Sequence, residues 1–166
     1  MKITFLGTGT STGVPEIGCK CEVCTSADPR DRRLRCSALV EDDDTTILID
    51  CGPDFREQML RADVKKIDAL LMTHKHFDHL AGIDDFRPFT RDRELPIYAD
   101  RDTEMQIRSF FPYCFYKVKY PGVANIGLYP VDYSTPFKVG SIEVVPIRVF
   151  HGMMPITAYR FGRFAY

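Results

Sequence analysis

Apolar positions along the chain fall mostly into short runs of strand length, and a helical period shows in only a few places. Residues 2–6 read as a first strand, ended by the glycine-rich loop 7–13, after which a cysteine-bearing loop follows. Residues 37–41 and 45–50 predict a hairpin with Asp42, Asp43 and Asp44 as turn residues, and Cys51-Gly52-Pro53 stops its second strand. From Pro53 the period changes, placing Phe55, Met59, Leu60 and Val64 on one face of a short amphipathic helix that Pro53 opens. Residues 67–72 are continuously apolar, which predicts a strand buried on both faces. Beyond them, 80–89 reads as a helix broken near Pro88, 96–99 as a short strand, and 102–111 as a second helix. In that helix Met105 and 107–111 are too apolar for full exposure. Residues 141–150 and 157–165 are the clearest later strands. Helices and strands are mixed without strict alternation, and no repeat, low-complexity tract or linker interrupts them, so residues 1–166 are expected to form one domain.

Composition narrows the partners. With 166 residues, 45% hydrophobic and 27% charged, the chain has the size and balance of a soluble globular domain with a real core. A formal net charge of -1 argues against a duplex nucleic acid partner, whose phosphates call for clustered Lys and Arg; a small phosphate-bearing substrate stays open. The basic stretch 30–35 is short and diluted by Asp28 and Asp31, so it reads as a solvated loop without functional weight. The N-terminus has one positive charge and too short an apolar stretch for a signal sequence, and no apolar run approaches the roughly 18 residues needed to span a bilayer. A cytoplasmic protein without a membrane partner is therefore expected, and its six cysteines read as buried thiols or metal ligands, not disulfides.

Directly after the 67–72 run stands Thr73-His74-Lys75-His76-Phe77-Asp78-His79-Leu80. Three of the chain's four histidines sit there, and the fourth, His151, ends another strand-like run. In an extended loop His74 and His76 project the same way and can share one ion, with His151 as the natural third ligand. Asp78 and His79 lie one turn further on and can aim at a second ion. Two ions about 3.5 to 4 Å apart can hold one hydroxide between them, so no serine or cysteine nucleophile is required. A single such histidine would be better read as a surface or core residue. Three with an interleaved aspartate after a buried strand favour metal, with zinc, manganese and iron all suited to the ligand set.

Two further groups carry chemistry. Asp50, at a strand end, could accept a proton from a ligand histidine or a loop amide and fix its orientation, or could serve as an acid at the start of the following helix. Cys19, Cys21 and Cys24 are close enough to bind one zinc if a fourth ligand comes from elsewhere; three reduced thiols or a Cys21/Cys24 redox pair are the alternatives. Zinc is favoured because structural zinc sites use clustered cysteines. Cys36, Cys51 and Cys114 are isolated and expected to be buried.

The string T-H-x-H-x-D-H-L-x-G at 73–82 resembles the signature of the metallo-β-lactamase superfamily of two-metal hydrolases. Phe5-Leu6-Gly7-Thr8-Gly9-Thr10-Ser11 with Val14-Pro15, Leu48-Ile49-Asp50-Cys51-Gly52, and the His151–Gly162 segment resemble three further motifs of that family. The loop G-C-x-C-x-x-C resembles one in the phosphodiesterase subfamily of the carbon-phosphorus lyase pathway, which acts on cyclic ribose phosphates. The resemblance implies an α+β fold, the αββα sandwich, of which this chain would supply the N-terminal half to two-thirds. It implies two divalent ions, zinc or manganese, on His74, His76, Asp78, His79 and His151, with Asp78 also catalytic. It further implies Asp50 supporting the metal loop and one structural zinc on Cys19, Cys21 and Cys24. The expected activity is hydrolysis of a small, cyclic-nucleotide-like phosphodiester. Hydrolysis of a thioester or lactam, RNA 3′-end processing, or a non-hydrolytic role like that of the pyrroloquinoline quinone synthesis member are the alternatives. On the family pattern a metal-bridging aspartate, a last histidine and a histidine completing the cysteine site follow later than Tyr166. The chain thus reads as a fragment that alone would show weak or no activity; its oligomeric state, a homodimer included, stays open.

Overall fold

The computed structural model describes residues 1–166, and its strands form two sheets. Strands β1 (Lys2–Gly7), β2 (Ser37–Asp42), β3 (Thr45–Ile49), β4 (Ala69–Leu71), β5 (Leu95–Ala99) and β6 (Ile126–Pro130) lie side by side in chain order. Pairing is antiparallel from β1 to β3 and parallel from β3 to β6. The second sheet runs in the order β10 (Phe164–Ala165), β9 (Met154–Phe161), β8 (Ile142–His151), β7 (Phe137–Val139), antiparallel throughout. Four α-helices accompany them: α1 (Glu22–Thr25), α2 (Phe55–Arg61), α3 (Phe77–Leu80) and α4 (Arg101–Phe110).

Burial on both sides of the first sheet explains its apolar runs. Every residue of β4 is fully buried. Leu70, with Leu39, Leu48 and Ile97, faces a core built with Phe55, Phe86 and Ile107 from the helical side. Ala69 and Leu71, with Val40, Ile47 and Ile49, face Val144, Tyr159 and Phe161 of the second sheet. Alternate residues of one strand therefore enter two different cores, each fully buried large side chain contributing about 1.5 to 3 kcal/mol. The order of layers, helices, mixed sheet, antiparallel sheet, is the α+β arrangement expected, as a partial sandwich.

Several elements differ from the expected ones. In α2 the inward positions are Phe55, Gln58 and Met59, an i, i+3, i+4 set, whereas Leu60 is 60% exposed; Val64 lies beyond the helix and is only partly buried. The helix expected at 80–89 is a single turn, α3, continued as 3-10 turns over Ala81–Phe89. The reason is local: the Gly82 amide donates to Cys51 O (2.7 Å), so it cannot donate to Asp78 and extend the α-helical ladder. In α4 the buried side is Thr103 and Ile107, and Met105 and Phe110 are about half exposed, short of the full exposure that their apolar character argued against. The single strand expected at 157–165 is two, β9 and β10, because Gly162 at φ 56° turns the chain back so that Phe164 pairs with Phe161. Strands β6 and β7 have no clear period of their own and gain order by pairing with β5 and β8.

Candidate metal centre

Strand β4 ends at Leu71, and the chain leaves the parallel part of the sheet at the strand ends, where crevices form in open parallel sheets. The leaving segment is pinned on two sides: Met72 N–H donates to Tyr98 O (2.9 Å), and Thr73 O accepts from Thr157 N–H of β9 (2.8 Å). Tyr159 adds its hydroxyl to Met72 O at 2.8 Å. His76 then caps α3 in extended geometry. His151 is the last residue of β8; Gly152, at φ 62°, and Met153 form the two-residue link that pairs His151 with Met154. Both segments thus deliver histidines to the same end of the sandwich.

One ring nitrogen each from His74, His76 and His151 lie within 4.8 Å of one another. His74 Nε2 and His76 Nδ1 are 3.1 Å apart. Two nitrogens bound tetrahedrally to one zinc at about 2.0–2.1 Å would sit about 3.3 Å apart, so this donor set fits a metal with little movement. Asp78 and His79 make a second donor pair beside them, His79 Nε2 lying 3.3 Å from Asp78 Oδ2. All five, with Ser11 and Ile156, line one cleft of about 490 Å³. A hollow of about 510 Å³ on the helical side, lined by Phe55, Met59 and Phe89 among others, contains none of the histidines.

Asp50 lies beneath this cleft, fully buried and at φ 56°. Its Oδ1 accepts from Thr73 N–H (2.8 Å), and its Oδ2 accepts from Thr73 Oγ1–H (2.7 Å) and His79 Nδ1–H (2.7 Å). The start of the following helix belongs to Asp54, whose carboxylate is held by Arg35 (2.8 Å). Thr73 spends its only hydroxyl proton on Asp50, so its oxygen, 2.9 Å from His74 Nδ1, accepts a proton from that ring. Both His74 and His79 therefore carry their proton on Nδ1 and present the Nε2 lone pair to the cleft. Thr73 was part of the motif string, yet nothing in the string marks it as the residue that sets a tautomer.

Burial first, and then the neighbouring His79, push the His74 ring down from 6.5 to about 4. For His79 burial lowers the value, but the hydrogen bond and charge of Asp50, aided by Asp78, outweigh it and raise the ring above its ordinary value. The depressed His74 value adds stability that is complete above pH 6.5 and lost as pH falls toward about 4; the raised His79 value acts oppositely, its share present below 6.5 and lost through its folded value. In metal-free protein an imidazole NMR titration is expected to show His74 neutral at pH 5.5 or so and His79 protonated at the same pH. Equal midpoints for the two rings would contradict the assigned hydrogen bonds.

Two glycines let the histidine loop close. A Cβ on Gly52 would lie 2.0 Å from Asp78 O, and one on Gly82 would lie 2.5 Å from Phe55 Cβ. Cys51 N–H donates to His79 O at 2.7 Å, completing the clamp between the Asp50 turn and α3.

The sulfurs of Cys19, Cys21 and Cys24 also lie within 4.8 Å of one another. Sulfurs around a tetrahedral zinc sit about 3.8 Å apart, so the three fit as a tripod lacking its fourth ligand. The Cys21 thiol is held below its ordinary value, first by the Cys24 backbone N–H, which favours thiolate. Cys51 and Cys114 are buried as expected, whereas Cys36 is only half-buried and donates to Gly9 O at 2.8 Å.

Residues 45–166 match the family described as "Beta-lactamase superfamily domain". The chain belongs to the metallo-β-lactamase superfamily. Its likeness extends to an octanoyltransferase of Porphyromonas gingivalis, 46% identical over 167 residues that make up 100% of this chain and 34% of that one. A ribonuclease Z of Methanococcus maripaludis is 29% identical over 97% of this chain and 48% of its own length. Among solved structures, a diphosphatase from the PhnP family superposes with a TM-score of 0.89 at 43% identity, covering 99% of this chain and 63% of that one. The chain thus spans from about a third to under two thirds of the length of these superfamily relatives. No helix in it is long and apolar enough to cross a membrane.

Proposed function

We propose that this superfamily chain carries the metal site of a phosphodiesterase or diphosphatase acting on a small, nucleotide-like phosphate ester. The observation that carries the proposal is the convergence of His74, His76 and His151 beside the Asp78/His79 pair, with the tautomers of His74 and His79 set by Thr73 and Asp50. The 43% identity to a PhnP-family diphosphatase and the likeness to a ribonuclease Z both favour phosphate chemistry.

His74, His76 and His151 would hold one divalent ion, and Asp78 with His79 would contribute to a second, zinc or manganese suiting either place. Such ions supply Lewis acidity and make water a nucleophile at neutral pH. The chain's own residues do the rest. Asp50 holds the His79 ring directly and the His74 ring through the Thr73 hydroxyl, so that neither can turn away, and the half-buried Asp78 carboxylate stands where it can orient an attacking water. Cys19, Cys21 and Cys24 would hold a structural zinc away from the chemistry.

Protein expressed from its complete reading frame is expected to hydrolyse an aryl phosphodiester, a cyclic nucleotide or a nucleoside diphosphate ester. Asp78→Ala should lower kcat/KM on the preferred substrate about 100-fold. Unaltered turnover in that variant would sink the mechanism. Acyl chemistry is the second reading, favoured by the 46% identity to the octanoyltransferase, although that match takes in only 34% of the relative. An octanoyl thioester in the same substrate panel separates the two.

A further inference from the structure

The glycine-rich loop, which the sequence offers weakly as a phosphate cradle, and the basic stretch 30–35, to which it gives no functional weight, meet in three dimensions. Gly9 and Val14 bridge to Arg35 and Arg33, so the loop lies along the arginine segment. Together with α2 they enclose a hollow of about 390 Å³ whose lining includes Arg32, Arg33, Arg35 and Arg61 against only two carboxylates, Asp54 and Glu57.

The four guanidinium groups are not equally committed. Arg35 is a strut: it pairs with Asp54 at 2.8 Å and donates through Nε to Ser11 O at 2.7 Å. Arg61 donates to Leu6 O. Arg33 reaches only Asp31, at 3.8 Å, and Arg32 makes neither an ion pair nor a side-chain hydrogen bond. Two exposed arginines with unspent donors therefore line one concavity, and like charges gathered this way repel until an anion joins them. Guanidinium forks match phosphate oxygens two at a time.

The hollow and the histidine cleft adjoin. Ser11 lines the cleft, Thr12 lines the hollow, and Arg35 holds the carbonyl between them. We infer that Arg32 and Arg33 form an anion subsite for a second phosphate of the substrate, so that the favoured substrate carries a phosphate beyond the one cleaved, as a nucleoside diphosphate ester does. The inference rests on the phosphate reading proposed above and assigns its substrate class.

The test separates the two. Inorganic pyrophosphate is titrated calorimetrically into the wild-type protein, into an Arg32→Ala/Arg33→Ala variant, and into a His76→Ala/His151→Ala variant, each checked for folding by circular dichroism. The histidine variant should keep a pyrophosphate site that the arginine variant binds at least tenfold more weakly. In kinetics, kcat/KM for a nucleoside diphosphate ester should fall about tenfold further in the arginine variant than kcat/KM for bis(4-nitrophenyl) phosphate, with the difference in KM. Equal pyrophosphate affinity in wild type and arginine variant overturns the subsite. So does an arginine-dependent affinity for single-stranded oligonucleotide without one for pyrophosphate, which would make the hollow a nucleic-acid contact. If no phosphodiester is hydrolysed by the wild type, the proposed function fails, while the calorimetry still judges the subsite.

Discussion

Alanine at Gly52 is expected to destabilise the protein by about 3 kcal/mol or more and to abolish metal binding by the histidines. The added Cβ would fall 2.0 Å from Asp78 O, a backbone atom that no side-chain rotation can move aside. Relief requires shifting α3 by more than an ångström, which breaks the Cys51 N–H to His79 O and Gly82 N–H to Cys51 O bonds, both 2.7 Å. In a chain of this length that loss corresponds to a fall in Tm of roughly 6–12 °C. Gly152→Ala supplies the contrast. Nothing lies within 4 Å of its Cβ position, but its φ is 62°, so it should cost about 1–2 kcal/mol from backbone strain alone. Thermal melts with metal content measured by mass spectrometry check both; comparable Tm values for the two variants would show that the close approach is not what holds the loop.

The second large effect is expected at Asp50. Asp50→Ala would leave the Thr73 amide, the Thr73 hydroxyl and His79 Nδ1–H without an acceptor in a fully buried place, at a cost of about 3–5 kcal/mol. Asp50→Asn is the sharper variant. Its carbonyl can still accept from the Thr73 amide, but its NH2 would face Thr73 Oγ1 and His79 Nδ1. Donating there moves the His79 proton to Nε2, the nitrogen that the wild type presents to the cleft. The expected result is a folded protein whose affinity for the second ion proposed at Asp78 and His79 drops about 10- to 100-fold, while binding at the site proposed on His74, His76 and His151 is affected less. Metal titration of the two variants measures this, and unchanged stoichiometry and affinity in Asp50→Asn would remove Asp50 from any role in setting the tautomer.

Much of this was legible in the order of residues. The run 67–72 announced a strand buried on both faces because an unbroken apolar stretch of that length has no polar face to offer water. The H-x-H-x-D-H string announced a gathering of metal-capable donors because no packing need explains so many of them in so few positions. The cysteine triplet was legible for the same reason. Where a local pattern competed with a partner far along the chain, the pattern lost. The 80–89 segment has helical spacing, yet the Gly82 amide is taken by Cys51, thirty-one positions earlier, and the α-helix stops after one turn. Leu60 has an apolar side chain, but the helix presents Gln58 inward because its Nε2 finds Arg35 O at 2.8 Å.

For this protein the sequence by itself determined which side chains could act and roughly which strands would carry them, since donor chemistry and apolar runs are properties of neighbouring residues. Tertiary structure brought to one place the His151 and Asp50 that donor chemistry had already nominated, and it alone decided that Thr73, bonded to Asp50, sets the proton position of the His74 ring and that the arginines of 32–35 lie along the glycine-rich loop. Each of these is a contact between segments that sequence spacing does not relate, made only when two sheets pack and bring their edges to a common end.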